Sequence, residues 1–174
     1  MRADLYWVPT PFPGKLAVAP RPRGDDWLDD EMASWRRAGV DVAVSLLTPA
    51  EAAEFGLERE ADAADAHGIR FASVPIPDRG TPPDPAAAAD LAHRVAGWMA
   101  DGRTVAVHCR QGIGRAGMVA AAGLVAAGLP PDDALARVSA ARGVPVPETP
   151  DQRRWVQEFA ARAVPAAPRI GSAP

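Results

Sequence analysis

The sequence predicts an α/β fold: a single domain with a mainly parallel sheet of about five strands flanked by helices. Two observations lead to this prediction. Short apolar runs alternate along the chain with segments whose apolar residues recur every three or four positions, as strands and amphipathic helices do. The 174 residues also correspond to the usual size of one domain. Clusters of proline and glycine separate successive runs and mark the connecting loops.

The first half of the chain holds the predicted edge hairpin and two further strands. Two extended segments, Leu5–Val8 and Lys15–Ala19, are predicted to form an edge hairpin, and a helix follows between Asp26 and Gly39. The next candidates are a strand over Val40–Leu47, a helical stretch from Thr48 to His67 and a second strand over Ile69–Val74. The first helix is predicted from Leu28, Met32 and Trp35, which recur at helical spacing.

The second half continues the alternation after a stiff, proline-rich loop over Pro75–Pro85. The candidates are a helix from Asp84 to Asp101, a strand over Thr104–His108 and a wholly apolar helix over Ala116–Ala127. Two further helices begin at Pro130 and Thr149. A helix without a polar side is typical of the centre of a domain. We expect residues 1–164 to form the domain and residues 165–174 to form a disordered tail.

Composition and charge exclude several kinds of partner. A net charge of −3 argues against a nucleic-acid-binding protein, and 48% hydrophobic with 24% charged residues is typical of a soluble globular protein. No apolar stretch approaches the ~20 residues of a membrane span, and no secretory leader is evident, so we expect no membrane partner. Cys109 is the one cysteine, which excludes an intramolecular disulfide. These features predict a cytoplasmic protein that needs no metal ion or cofactor.

The candidate site is the loop from His108 to Arg115, which leaves a predicted buried strand and enters a predicted buried helix. In an open α/β sheet, ligand sites lie at the carboxyl ends of strands. Gly112 and Gly114 allow unusual backbone angles, so that successive N–H groups can point inward at the helix N-terminus. Such a cup binds a tetrahedral dianion, and the Arg115 guanidinium offers that dianion two parallel donors.

Cys109 is expected at the bottom of this cup, where inward N–H groups and positive charge favour a thiolate over a thiol. A thiolate there can attack phosphorus in line and form a phosphocysteine that water later hydrolyses. The leaving oxygen needs a proton, and Asp78, in the loop after the neighbouring strand, is the candidate donor. His108 is predicted to be a structural hydrogen bonder, because successive side chains of a strand point to opposite faces.

The loop resembles the signature H-C-x-x-G-x-x-R of the Cys-based protein tyrosine and dual-specificity phosphatases. The likeness extends over roughly residues 15–160 and is closest to the subgroup named for the cyclin-dependent kinase inhibitor-associated phosphatase, with a hairpin, a Pro-Ile-Pro-Asp loop, the signature and a late glutamine in the same order. The resemblance implies a dual-specificity-phosphatase-like fold, with Cys109 as nucleophile, Arg115 as phosphate clamp and Asp78 as general acid. The implied phosphate-binding residues are those of the loop: Arg110, Gln111, Gly112, Ile113, Gly114 and Arg115.

The resemblance also implies the reaction. The expected substrate is phosphotyrosine, and phosphoserine or phosphothreonine as well, in a phosphorylated protein or peptide, with inhibition by phosphate, sulfate or vanadate. The need for an ionised Cys109 and a protonated Asp78 predicts a bell-shaped pH profile. Gln152 has two interpretations: by the family likeness it positions the hydrolytic water, whereas by its spacing its side chain closes a capping box with Thr149.

One residue departs from the family pattern. Ala116 stands where the family has serine or threonine, whose hydroxyl stabilises the departing thiolate in the second step. The hypothesis is therefore a phosphatase with slowed hydrolysis of the phosphoenzyme. Two alternatives stay open: a catalytically impaired phosphatase-like module that binds phosphopeptides, and a rhodanese-type sulfurtransferase. The latter also uses a cysteine loop but needs neither Asp78 nor Arg115.

Overall fold

A computed structural model describes residues 3–163 of the chain. The strands of this part form one five-stranded sheet in the order β1-β2-β5-β3-β4. The bounds are β1 Tyr6–Val8, β2 Lys15–Ala19, β3 Val42–Ser45, β4 Arg70–Ser73 and β5 Thr104–His108. β1 and β2 form an antiparallel hairpin at one edge, and the remaining pairs are parallel. The predicted α/β class and the mainly parallel sheet are confirmed.

Helices cover both faces of this sheet. Their bounds are α1 Leu28–Arg37, α2 Pro49–Glu54, α3 Glu60–Ala66, α4 Pro85–Ala100, α5 Gly114–Ala126, α6 Pro131–Arg142 and α7 Pro150–Ala163. The hydrophobic core on one face involves α4 to α7, and that on the other involves α1 and α3. No helix within residues 3–163 is both long and apolar enough to cross a bilayer. The predicted tail over residues 165–174 lies outside the described part of the chain.

Several element boundaries differ from the sequence prediction, and those of β3 and α5 bear on the site. β3 is shorter at both ends than the predicted Val40–Leu47, although Val40, Leu46 and Leu47 are also buried. α5 begins at Gly114, two residues before the predicted start, so the end of the signature already belongs to the helix. Apolar runs report burial rather than ladder pairing, and they therefore overestimate strand length.

The carboxyl ends of three parallel strands meet at one edge of the sheet. Ser45 of β3 is in register with both Ser73 of β4 and His108 of β5. The segments that follow these strands therefore converge: the approach to α2, the proline-rich loop and the loop that begins at Cys109. The predicted position of the site at the carboxyl ends of the strands follows from this register.

The opposite end of β3 is held by a charged contact. The Asp41 carboxylate accepts hydrogen bonds from the Thr104 backbone N–H at 2.9 Å and from Arg36 at 2.7 Å. Burial alone would raise the pKa of Asp41, but these two donors outweigh it, so the pKa is lowered below the ordinary value. Asp41 thereby fixes the start of β3 against β5 as an ionised group.

Candidate active site

The loop between β5 and α5 forms the floor of an open cleft. The cleft has a volume of about 230 Å³ and is lined by Asp78, Arg79, Cys109, Arg110, Gln111, Ile113, Gly114, Arg115 and Glu148. Cys109 is buried at 3% exposure. Gly112 has φ +68, and a Cβ there would lie 2.5 Å from the backbone of Ala19. Only glycine therefore fits this turn, in which the loop passes against the end of β2.

The rim residues of the loop differ in their surroundings. Arg110 and Gln111 are exposed, and the Arg110 guanidinium lies over the Phe55 ring at 5.2 Å. The Arg110 carbonyl accepts a hydrogen bond from the Arg21 backbone N–H at 3.3 Å. Ile113 is half-buried against the main core. Arg110 is thus held by its backbone, while its charge is available at the cleft.

Arg142, the last residue of α6, holds the outer side of the loop. Its Nε donates to the Gly112 carbonyl at 3.1 Å and its Nη2 donates to the Gln111 carbonyl at 2.9 Å, while the guanidinium lies 3.9 Å from the Tyr6 ring. In a trans peptide the N–H points opposite to the preceding C=O. Fixing these two carbonyls outward therefore directs the N–H groups of Gly112 and Ile113 toward the cleft. Sequence reasoning missed Arg142, since a basic residue at a helix end is common.

Arg115 is almost fully buried and donates to five acceptor atoms, of which the Leu46 carbonyl, at 3.5 Å, is the most distant. Its Nη1 and Nη2 form a two-pronged pair with Glu51 at 2.7 and 2.8 Å. Nη1 also donates to the Ile76 carbonyl at 2.8 Å, and Nη2 donates to Asp78 Oδ1 at 2.9 Å. Burial alone would lower the pKa of Arg115, but Glu51, Cys109 and Asp78 outweigh it and raise the pKa, so the cation is secure.

Glu51 is a functional residue that the sequence did not reveal. It occupies the third position of α2, where its carboxylate accepts from the Thr48 backbone N–H at 3.0 Å and completes a capping box. The same carboxylate pairs with Arg115. Burial would raise the pKa of Glu51, but the hydrogen bonds from Arg115 and Thr48 lower it overall. The sequence pattern Thr-Pro-Ala-Glu signals the cap and gives no sign of the ion pair.

Asp78 lies on the loop between β4 and α4, on the opposite side of the cleft from α5. Its side chain is about half exposed, at 49%, and its bond to Arg115 is described above. The loop turns sharply here: the Gly80 N–H donates to the Pro77 carbonyl at 2.9 Å, and Arg79 has φ +58. The structure therefore brings together Cys109, Arg115 and Asp78, the three residues selected from the sequence.

Gln152 is fully buried near Gly114, and its two ends have different partners. Its Oε1 accepts from the Thr149 N–H at 3.2 Å, and the Thr149 hydroxyl accepts from the Gln152 N–H at 3.2 Å. This is the capping box that the spacing predicts. Its Nε2 donates to the Gly80 carbonyl at 2.9 Å. Gln152 therefore joins the start of α7 to the loop that carries Asp78, a connection that the sequence did not show.

Residues 18–129 match the family model described as "Polymorphic toxin system, DSP-PTPase phosphatase". The match covers more than half of the chain, including the cleft loop, Asp78 and Glu51. The chain belongs to this phosphatase family. No curated protein sequence matches it significantly.

Solved structures of phosphatases share the fold. The kinase associated phosphatase (KAP), with its catalytic-site cysteine replaced by serine, is 20% identical with a TM-score of 0.83, over 94% of this chain and 97% of that chain. Tk-PTP in its active form is 25% identical with a TM-score of 0.72, over 93% and 99%. Human DUSP28 is 23% identical with a TM-score of 0.61, over 93% and 96%. The dual-specificity-phosphatase-like fold expected from the sequence is confirmed.

Two further residues of this phosphatase lie behind the cleft loop. Ala116 is fully buried in the first turn of α5, so the methyl group occupies the position of the expected hydroxyl. His108 lies on the other face of the sheet from Cys109, as predicted, with its ring 5.8 Å from that of Trp35. The His108 Nε2 atom is 2.7 Å from Glu60 Oε1, a buried polar contact that lacks hydrogen-bond alignment. Within residues 3–163, His108 therefore makes this contact in place of the predicted structural hydrogen bond.

Proposed function

We propose that this phosphatase hydrolyses phosphotyrosine, and phosphoserine or phosphothreonine as well, in phosphorylated proteins or peptides of the cytoplasm. The observation that carries the proposal is the convergence of Cys109, Arg115 and Asp78 on one cleft. No aromatic side chain lines the cleft within residues 3–163. Aromatic walls favour a tyrosine ring by stacking, and a cleft without them also suits alkyl phosphates.

The proposed reaction has two steps. In the first, the Cys109 thiolate attacks phosphorus, the P–O ester bond breaks, and the Asp78 carboxylic acid gives its proton to the leaving oxygen. In the second, water attacks the phosphocysteine, Asp78 takes a proton from that water, and the S–P bond breaks. Phosphate leaves and the thiolate is restored. Arg115 and the inward N–H groups stabilise the charge of the equatorial oxygens in both steps.

The contact between Asp78 and Arg115 supports this assignment. The Asp78 carboxylate accepts a hydrogen bond from Nη2 of Arg115 at 2.9 Å. A substrate phosphate is the stronger anion and would take that donor in its place. Asp78 is then released beside the phosphate, where a proton donor is required. The same competition predicts inhibition by phosphate, sulfate or vanadate.

The experiment is turnover of p-nitrophenyl phosphate by the intact chain and by Cys109→Ser, each with and without EDTA. We expect turnover by the intact chain in both conditions, no turnover by the variant, and a trapped phosphocysteine in acid-quenched samples. Turnover of thiosulfate without turnover of phosphate would instead identify a sulfurtransferase. Activity of Cys109→Ser at the level of the intact chain would refute the proposed nucleophile.

Ala116 favours a second candidate function, a module that binds phosphopeptides with little turnover. Without a hydroxyl at this position, the departing thiolate lacks one hydrogen bond, which is worth about 1.5–3 kcal/mol to a charged group. We therefore expect a burst of product and a slow steady state, and we expect Ala116→Ser to raise the steady-state rate by about tenfold or more. An unchanged steady-state rate in Ala116→Ser would show that the missing hydroxyl does not limit turnover.

A further inference from the structure

The loop that carries Asp78 is fastened to the segment around the start of α7 by two consecutive residues. Arg79 Nη1 donates to Glu148 Oε1 at 2.6 Å. The next residue, Gly80, accepts a hydrogen bond at its carbonyl from Gln152 Nε2 at 2.9 Å. Both contacts join parts of the chain about 70 residues apart. We infer that Glu148 and Gln152 are positioning residues that hold Asp78 at the leaving oxygen, an inference that rests on the proposed function.

Asp78 needs such an anchor because its own contact is lost during the reaction. Within residues 3–163, the one side-chain hydrogen bond of Asp78 goes to Arg115. A bound phosphate competes for that donor, so the carboxyl group is then placed by its backbone alone. On the side before Asp78, the loop is held by Ile76, which is fully buried and whose backbone is hydrogen-bonded to Leu46 and Arg115. On the other side, Arg79 adopts a left-handed φ of +58, which costs free energy and persists only where surrounding contacts compensate for it.

Glu148 is poorly suited to binding phosphate itself. Its carboxylate lies beside the first residue of α5, with Oε2 3.0 Å from the point where a Gly114 Cβ would be, and it lines the same cleft as Cys109. A negative charge at this position repels a phosphate dianion. Its pairing with Arg79 is therefore a contribution to loop position, and removing the carboxylate should not weaken the binding of oxyanions.

If Glu148 positions Asp78, its loss should change how the cleavage rate depends on the leaving group. The loss of a merely structural residue would not have this effect. Proton donation accelerates departure of a basic leaving group, such as the tyrosine oxygen, far more than departure of the acidic p-nitrophenolate. A displaced Asp78 should therefore slow phosphotyrosine cleavage selectively. General acid catalysis contributes about 10²–10⁴-fold, so a loosened acid should lose roughly tenfold of this contribution.

The experiment measures single-turnover cleavage with enzyme in excess, which reports the first chemical step whatever the rate of phosphoenzyme hydrolysis. The substrates are O-phosphotyrosine and p-nitrophenyl phosphate, and the variants are Glu148→Gln, Arg79→Met and the double variant. Glu158→Gln is the matched control, because Glu158 forms an exposed ion pair with Arg162 on α7, at 3.5 Å. The dissociation constant of inorganic phosphate is measured for each variant.

We expect Glu148→Gln and Arg79→Met each to slow phosphotyrosine cleavage about tenfold and p-nitrophenyl phosphate cleavage less than about twofold. The double variant should be no slower than either single variant, since the two residues act through one contact. The binding of phosphate to Glu148→Gln should be unchanged or tighter. The exchanged pair Arg79→Glu with Glu148→Arg should recover part of the lost rate.

Equal slowing of both substrates, or no slowing of either, would overturn the inference. So would weaker phosphate binding in Glu148→Gln, because the carboxylate would then support the cleft itself. Asp78→Asn serves as the reference. If this variant shows the leaving-group selectivity and Glu148→Gln does not, the anchor is refuted while the proposed function stands. If Asp78→Asn lacks the selectivity, the general acid is misassigned and both proposals fail.

Discussion

The two sides of the cleft are built in different ways. The loop around Cys109 lies between a central strand and a buried helix, and its backbone and Arg115 are held by many contacts in the interior. Asp78 is about half exposed, and its loop is held by the buried Ile76 and by a few side-chain bonds to elements distant in sequence. The proposed phosphate side is therefore held mainly through burial, whereas Asp78 and the residues that follow it depend on individual polar contacts. Substitutions should accordingly separate oxyanion binding from proton donation.

The largest expected effect breaks the acid side alone. Asp78→Asn should reduce single-turnover cleavage of phosphotyrosine by about 10²–10⁴-fold, because the amide cannot donate a proton as an acid does. The same variant should bind inorganic phosphate more tightly, because it removes an anion that competes with phosphate for Arg115. Rapid-quench kinetics and calorimetry measure the two quantities. Weaker phosphate binding by Asp78→Asn would contradict the separation of the two sides.

The next largest expected effect is on the free energy of unfolding and concerns Glu51, the buried partner of Arg115. Glu51→Gln leaves Arg115 without its two-pronged partner, and breaking a buried ion pair costs about 3–5 kcal/mol of unfolding free energy. We expect the lower end of this range, because Arg115 keeps the Asp78 carboxylate and the Leu46 and Ile76 carbonyls. Urea unfolding at about pH 7 measures the loss.

The stability difference between the intact chain and Glu51→Gln should depend on pH. The pKa of Glu51 is lowered in the folded state from its ordinary 4.5, so the unfolded chain binds the proton more readily. The stabilisation is therefore present above about pH 4.5 and is lost as the pH falls below that value. Asp41 also has a lowered pKa, but it is common to both chains and cancels in the difference. A difference that stays constant down to about pH 3 would show that ionised Glu51 is not its source.

The smallest effect concerns the outer side of the cysteine loop. Arg142→Met keeps an unbranched apolar side chain but loses the guanidinium, with its contact to the Tyr6 ring and its two bonds to the Gln111 and Gly112 carbonyls. We expect about tenfold weaker binding of phosphate, equivalent to ~1.4 kcal/mol, because the inward N–H groups are less well fixed. The matched control is Arg137→Met on the same helix, whose bond goes to the Pro9 carbonyl. Equal weakening in both variants would assign the effect to α6 in general.

Sequence reasoning identified the residues whose signals are contiguous. The loop from Cys109 to Arg115 carries its own pattern of glycines and arginine between a strand and a helix, and Asp78 lies at a conspicuous position in a proline-rich loop. Both fall where the predicted strands end, so the sheet brings them together. The alternation of apolar patterns was likewise sufficient for the fold class.

The residues that sequence reasoning missed act over long separations in the chain. Glu51 reaches Arg115 across 64 residues, and Glu148 reaches Arg79 across 69. Each has a local interpretation, as a cap residue or a surface charge, that fully accounts for its type. Such pairings depend on the packing of helices onto the sheet, which no local pattern contains. For the same reason, the spacing of Thr149 and Gln152 predicted the capping box but not the hydrogen bond from Gln152 to the Gly80 carbonyl.

The bond between Asp78 and Arg115 has a further consequence for the protonation of the site. Under the proposed mechanism, the arrival of one hydrogen ion on Asp78 has two results. It removes the negative charge that blocks the guanidinium, and it loads the group that must later release the alcohol. Access of phosphate to the guanidinium and readiness of the proton donor are thus set by the same protonation of Asp78.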